Sequence, residues 1–287
     1  MNQKKTWLYI AFAVVLAIIV IGCNILRRNS PVRKIKVVVD YAGCDTLVSS
    51  QSLHDLVVEK MSTLGSQQVK NVNCKKVSET ICSNVYVEHC ETSVSIGRDF
   101  VIHATQRTPI IRLFATKDVS VEQKPAIDSL GIKAQTITRT ASHECYLDKE
   151  GCYMPLSNEG SADVLVGNGY IKQHLPIRCD SVNFKAMAEQ DSTKGQPLAQ
   201  IWALAMFLHK HQEYGPLFDQ LYMDDKGDLC LAPKVGNHIV IVGDADNLEK
   251  KFSDLLVFYH KAMNQVGWNT YKQINLKYKK QIICTQR

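Results

Sequence analysis

Apolar residues along this chain fall into three patterns: one unbroken run, several stretches at helical spacing, and many short alternations. The unbroken run is Trp7 to Leu26. It carries Ile10, Phe12, Val14, Val15, Leu16, Ile18, Ile19, Val20 and Ile21, and no charge. A helix of about 20 residues spans about 30 Å, the thickness of a bilayer's hydrocarbon core. Apolar residues near the centre of such a helix each favour insertion by roughly 0.3–0.6 kcal/mol, which together outweighs Gly22 and Asn24 near its end. Trp7 and Tyr9 suit the interfacial belt. The pattern predicts a retained transmembrane helix over 7–26, longer than the roughly 7–15 apolar residues of a cleaved signal peptide.

A short polar linker with Pro31 follows. Ile35, Val37 and Val39 then alternate with Lys34, Lys36 and Asp40, the signature of a half-buried strand. Leu53, Leu56, Val57, Met61 and Leu64 lie on one helical face, with Ser52 as the expected cap and Gly65 as the expected stop. A second helix is expected from Asn73 as cap, with Cys74, Val77 and Ile81 inward. Two strands, Val85 to Ile96 and Phe100 to Gln106, are separated by the turn Gly97-Arg98-Asp99. The order strand, helix, helix, strand, strand makes a small two-layer unit.

From Thr108 short strands dominate: Pro109 to Ala115, Gln135 to Arg139, Cys145 to Leu147, Cys152 to Met154 and Asp163 to Val166. Two phrases agree in their Tyr, Asp and Gly, Tyr146-Leu147-Asp148-Lys149-Glu150-Gly151 and Tyr222-Met223-Asp224-Asp225-Lys226-Gly227. They predict two similar hairpins with glycine in the left-handed position. Helices are expected from Pro197, with Leu198, Ile201, Trp202, Ala205 and Leu208 inward, and from Asn247 to Val266, closed by Gly267. His238 to Val242 reads as strand, and Gln273 to Cys284 as strand or hairpin with Ile274, Leu276 and Tyr278 on one face. The fold class is α+β: one N-terminal transmembrane helix, a β-α-α-β-β domain and a mixed β domain with helices.

Composition adds little to this picture. The chain has 287 residues, is 45% hydrophobic and carries a net charge of +6. That charge is not gathered into a nucleic-acid-binding module. Lys4 and Lys5 precede the span, while Arg27, Arg28, Arg33, Lys34 and Lys36 follow it. The positive-inside rule alone would therefore put the C-terminal side in the cytoplasm. Ten cysteines show no C-x-x-C pair. Small buried thiols are the plain reading, with disulfides open if this part lies outside the cytoplasm.

Candidate chemistry is sparse. Phosphate-loop, zincin and nucleophile-elbow motifs are absent. Gly167-Asn168-Gly169 is a lone G-x-G, read as a tight turn. His209 and His211 would point roughly 200° apart on a helix and so would not share a metal. Asp224, Asp225 and Asp228 lack the calcium-loop spacing. Asp191-Ser192-Thr193-Lys194 reads as a solvated loop. No catalytic residue, cofactor, metal or small-molecule substrate is expected. A strand near the C-terminal end, if it lies at a sheet edge, offers free N–H and C=O groups to a partner strand.

The layout resembles the bacterial cell-division family FtsQ, also called DivIB. Ile35 to Gln106 has the order of a POTRA domain, and Gln106-Arg107-Thr108-Pro109-Ile110 is similar to the family's Q-R-x-P junction. Tyr146 to Pro155 resembles its Y-x-D-x-x-G hairpin ending in M-P, and Trp268 to Cys284 resembles its closing strand. The resemblance implies a cytoplasmic tail over 1–6, a transmembrane helix over 7–26 and a linker over 27–33. A POTRA domain over 34–107 and an FtsQ-type β domain over 108–287 would follow.

It further implies a non-enzymatic scaffold of the inner membrane, with the C-terminal bulk in the periplasm, binding FtsB- and FtsL-like proteins during septum formation. The partner strand would add at the C-terminal edge. Carried over here, that names Tyr271, Ile274, Asn275, Leu276, Lys277 and Tyr278, with Tyr259 and Trp268 nearby. The alternative is a membrane- or lipid-anchored POTRA protein of envelope assembly or secretion, since Val20-Ile21-Gly22-Cys23 loosely resembles a lipidation box.

Overall fold

The computed structural model describes residues 3–115, 143–171, 196–279 and 281–287. The expected strand at Gln135 to Arg139 and the loop at Asp191 to Lys194 lie outside these residues. The fold is α+β. Helix α1, Gln3–Asn29, contains a 21-residue stretch of mean hydropathy 2.7, none of it buried. It is the one helix among the described residues long and apolar enough to cross a membrane.

The chain, α1 included, divides into two compact units. The first comprises residues 1–107 and 157–161, the second residues 108–156 and 162–287. In the first unit, β1 (Lys34–Asp40), α2 (Ser50–Lys60), α3 (Cys74–Cys82), β2 (Val87–Val94) and β3 (Asp99–Gln106) follow the expected order. The sheet runs β1-β3-β2, with β1 parallel and β2 antiparallel to β3. Leu53 and Val57 of α2 and Val77 and Ile81 of α3 are buried with Phe100 and Ile102 of β3. Each such side chain stabilises the unit by about 1.5–3 kcal/mol.

Local capping decides where these helices begin and end. Asn73 caps α3, its Oδ1 accepting from Lys76 N–H at 3.0 Å. The α2 boundaries differ from expectation. The cap is Ser49, not Ser52: Ser49 Oγ accepts from Ser52 N–H at 3.1 Å. The helix ends at Lys60 rather than at Gly65, which sits in a 3-10 turn over Leu64–Ser66. That turn returns Leu64, 2% exposed, to the core.

The first unit also recruits a segment distant in sequence. Ser157 Oγ donates to the Leu47 carbonyl at 2.5 Å, and the Glu159 carboxylate accepts from Ser49 N–H. A Cβ on Gly160 would lie 2.1 Å from the Thr46 carbonyl oxygen, so only glycine allows this approach.

The second unit holds β4 (Pro109–Ala115), β5 (His143–Asp148), β6 (Tyr153–Pro155), β7 (Leu165–Gly169), β8 (Phe218–Met223), β9 (Leu229–Pro233), β10 (Ile239–Gly243), β11 (Tyr271–Asn275) and β12 (Ile283–Gln286). They form one mixed sheet in the order β12-β11-β10-β9-β8-β7-β4-β5-β6. Helix α4 (Pro197–Lys210) leads towards β8. Helix α5 (Leu248–Phe258) continues through a π turn over Tyr259–Met263. It connects β10 to β11, which pair in parallel. Phe252 and Leu255 of α5 share a core with Ile201 and Leu204 of α4.

The two Tyr/Asp/Gly phrases are the same hairpin. Asp148 Oδ1 accepts from the N–H groups of Glu150 and Cys152, and Asp224 Oδ1 accepts from those of Lys226 and Asp228. Gly151 and Gly227 sit at φ 77° and 86°. Gly167-Asn168-Gly169 is not a turn: it lies inside β7, between β4 and β8. A Cβ on Gly169 would come within 2.2 Å of the Met223 carbonyl oxygen. These glycines therefore serve close strand packing.

A candidate partner-binding edge

The two ends of the large sheet differ. The β6 end is three residues long and closes on Pro155, which has no N–H to offer. The β12 end is different. β12 pairs antiparallel with β11 on its inner side, with Ile274 opposite Cys284 and Asn275 opposite Ile283. No described strand pairs with its outer side.

Strand periodicity fixes which groups face outward. Arg287 N–H donates to the Thr270 carbonyl at 3.3 Å, on the β11 side. Alternation along a strand then turns the N–H groups of Ile283 and Thr285 inward and those of Cys284 and Gln286 outward. Cys284 packs part of its side chain on the core, while Ile283 is 42% exposed.

This arrangement corrects the expected edge. The strand containing Tyr271, Ile274 and Asn275 is not terminal, because β10 and β12 occupy both its sides. The physical reason is a reversal at Lys277 and Tyr278. Leu276 N–H still donates to Ile241 C=O at 2.8 Å, then Lys277 N–H turns onto Asn275 Oδ1 and the chain folds back. Ile274 (0% exposed), Leu276 (5%) and Tyr259 (5%) belong to the core and present no surface to a partner. Trp268 and Tyr271 are partly buried against that core, and Tyr271 packs its ring 5.9 Å from Phe258. Lys277 ion-pairs with Asp228 at 2.6 Å, which holds its ammonium above the ordinary range. Tyr278 is exposed. The stretch Gln273 to Cys284, expected as strand or hairpin, reaches the first two residues of β12, but the named binding residues stop at Tyr278.

Beneath the edge lies a buried polar contact. His238 is 1% exposed, and its Nε2 lies 2.8 Å from Tyr259 Oη. The Trp268 ring sits 5.1 Å from that of Tyr259. Burial, reinforced by Arg287, lowers the His238 pKa, and burial raises that of Tyr259. The unfolded chain therefore takes up a proton near the ordinary histidine value of 6.5 that the folded chain refuses. Stability from this group is fully present above 6.5 and is lost as pH falls below it. His209, lowered by burial and by Lys149, acts in the same direction. The thermal midpoint of the full chain is expected to drop as pH falls below 6.5, and His238→Gln should flatten that slope. An unchanged slope in the variant would show that His238 titrates alike in both states.

Little else in the described residues suggests reaction chemistry. No group of three or more His, Cys, Asp or Glu side chains among them could hold a metal ion. His211 faces Glu213 at 3.2 Å. Burial pushes the Cys90 thiol up to about 11, Cys145 to about 12 and Cys230 to about 11. These thiols act as small apolar core groups rather than nucleophiles.

Comparison with known families names the type of this second unit. A family model described as "FtsQ/DivIB, C-terminal related" matches residues 135–285, ending inside β12. The match takes in more than half of the 287 residues, and the chain belongs to the FtsQ/DivIB family. That family gives it a role in cell division. No curated protein matches the chain.

Proposed function

We propose that this chain is a non-enzymatic scaffold of the division machinery that captures an extended segment of a partner along β12. The observation that carries the reading is the outer side of β12, along which no strand among the described residues pairs, with its Cys284 and Gln286 N–H groups turned outward. An added strand would gain main-chain hydrogen bonds there, and exposed Ile283 would supply apolar contact. Lys272 and Lys279, both exposed, favour an acidic flank on the partner. The partners are FtsB- and FtsL-like proteins.

In this reading residues 34–107 act as a POTRA domain, and α1 holds the chain in the inner membrane. The N-terminus is cytoplasmic and both folded units are periplasmic. The test is affinity capture of the full chain from detergent-solubilised membranes. Co-recovery of FtsB- and FtsL-like proteins is the expected result. Recovery of neither, with the chain itself intact, would reject the scaffold.

A further inference from the structure

The end of the first unit nearest α1 carries a surface that partner capture leaves unused. Three segments meet there. Arg27, the first residue after the apolar stretch, donates from Nη2 to the carbonyls of Val94 and Ser95 at 3.1 and 2.9 Å. This clamps the β2–β3 turn to the end of α1. Val69 N–H donates to the Ser30 carbonyl at 3.0 Å, which brings the 3-10 turn Val69–Asn71 to the same place. Arg33 N–H donates to the Arg98 carbonyl at 2.9 Å and closes the ring.

Charge in these segments is one-sided. Residues 27–36 hold five Arg or Lys, residues 66–71 one and residues 95–98 one, with no Asp or Glu in any of them. The acid that follows the turn in sequence, Asp99, is paired with Lys36 at 2.7 Å and Arg33 at 3.2 Å. At the tip of the clamped turn, Ile96 is 87% exposed. Its neighbour Arg98 sits at φ 65°, a left-handed conformation that a bulky non-glycine residue rarely adopts. The strain is kept although Gly97 stands one position away.

Helix geometry sets the height of this surface. Tyr9 to Leu26 spans about 27 Å at 1.5 Å per residue, close to the hydrocarbon thickness. Arg27 then lies at the headgroup level, and its hydrogen bonds hold Ser95, next to Ile96, at that same level. We infer that this end of the first unit docks on the anionic lipid surface of the bilayer that α1 crosses, with Ile96 entering the headgroup–acyl boundary. The inference rests on α1 spanning the membrane but not on partner capture. It also gives the basic residues after the span a use other than setting orientation, since juxtamembrane Lys and Arg are drawn to anionic headgroups.

The test places the full chain in lipid nanodiscs, of phosphatidylcholine alone or with one part in three of phosphatidylglycerol, and follows amide hydrogen exchange. The 95–98 turn should exchange at least about fivefold more slowly in the anionic discs. The triple variant Lys70→Ser, Ile96→Ser, Arg98→Gly should lose that protection while β3 exchanges as before. Equal exchange of the turn in both discs overturns the docking. So does protection that survives the triple variant, or that inorganic phosphate reproduces in phosphatidylcholine discs. Failure of the chain to co-elute with discs overturns the span and the docking together.

Discussion

The double variant Cys284→Pro, Gln286→Pro is expected to weaken partner capture about five- to a hundredfold while the second unit stays folded. Proline removes a backbone donor and fixes φ near an extended value, so it is tolerated where an N–H faces away from the sheet. Both positions turn their N–H groups to the outer side of β12, and the pairing with β11 runs through Ile283, Thr285 and Arg287. Two hydrogen bonds lost at about 0.5–1.5 kcal/mol each give about 1–3 kcal/mol. The reciprocal variant Thr285→Pro removes an inward donor and should lower the thermal midpoint instead. The measurement is titration of the purified chain with the captured partner, alongside thermal unfolding. Unchanged affinity in the double variant, with an unchanged midpoint, would remove β12 as the docking strand. Leu276→Asp is not a useful probe of the edge, because Leu276 is 5% exposed and the carboxylate would enter the core.

Gln106→Leu is expected to destabilise the first unit by about 2–4 kcal/mol. Gln106 is fully buried, and its amide satisfies three backbone groups at once. Its Oε1 accepts from the N–H groups of Leu47 and Val48 at 2.7 and 3.2 Å, and its Nε2 donates to the Asp45 carbonyl at 2.8 Å. Leu47 and Val48 are 1% and 2% exposed, so their amides have no ready replacement in bulk water. Leucine keeps most of the volume and leaves these groups unpaired. Calorimetry of the full chain should show a lower transition for the first unit with the second little changed. A loss below about 0.5 kcal/mol would mean that ordered water takes over the role of the amide.

Gln106 also shows what the sequence could and could not disclose. Its place in the Gln106-Arg107-Thr108-Pro109 junction was legible as a pattern, but its task depends on Asp45 to Val48, about sixty residues earlier. Sequence signals are legible where their cause is local. Asn73 caps α3, Pro197 opens α4 and Gly227 turns its hairpin, each through contacts within a few residues. They fail where neighbours compete. Ser49, Ser50 and Ser52 are equivalent as letters, and it is Ser49 whose hydroxyl accepts from Ser52 N–H.

The position of the edge is hidden in the sequence for a related reason. Ile274, Leu276 and Tyr278 alternate as one long strand would, yet the chain reverses after Leu276. The parallel partner of β11 lies about thirty residues upstream, across α5. Gly167 and Gly169 read as a turn because nothing local announces the two strands that press on β7.

The path of the backbone through the two units has a consequence for biogenesis. The polypeptide passes from the first unit to the second after residue 107, returns for residues 157–161, and leaves again. A ribosome must therefore translate some fifty residues of the second unit before the first has its last hydrogen-bonding groups, Ser157 and Glu159. Until then Leu47 and Ser49 wait without those partners, so maturation of the first unit is timed by synthesis of part of the second.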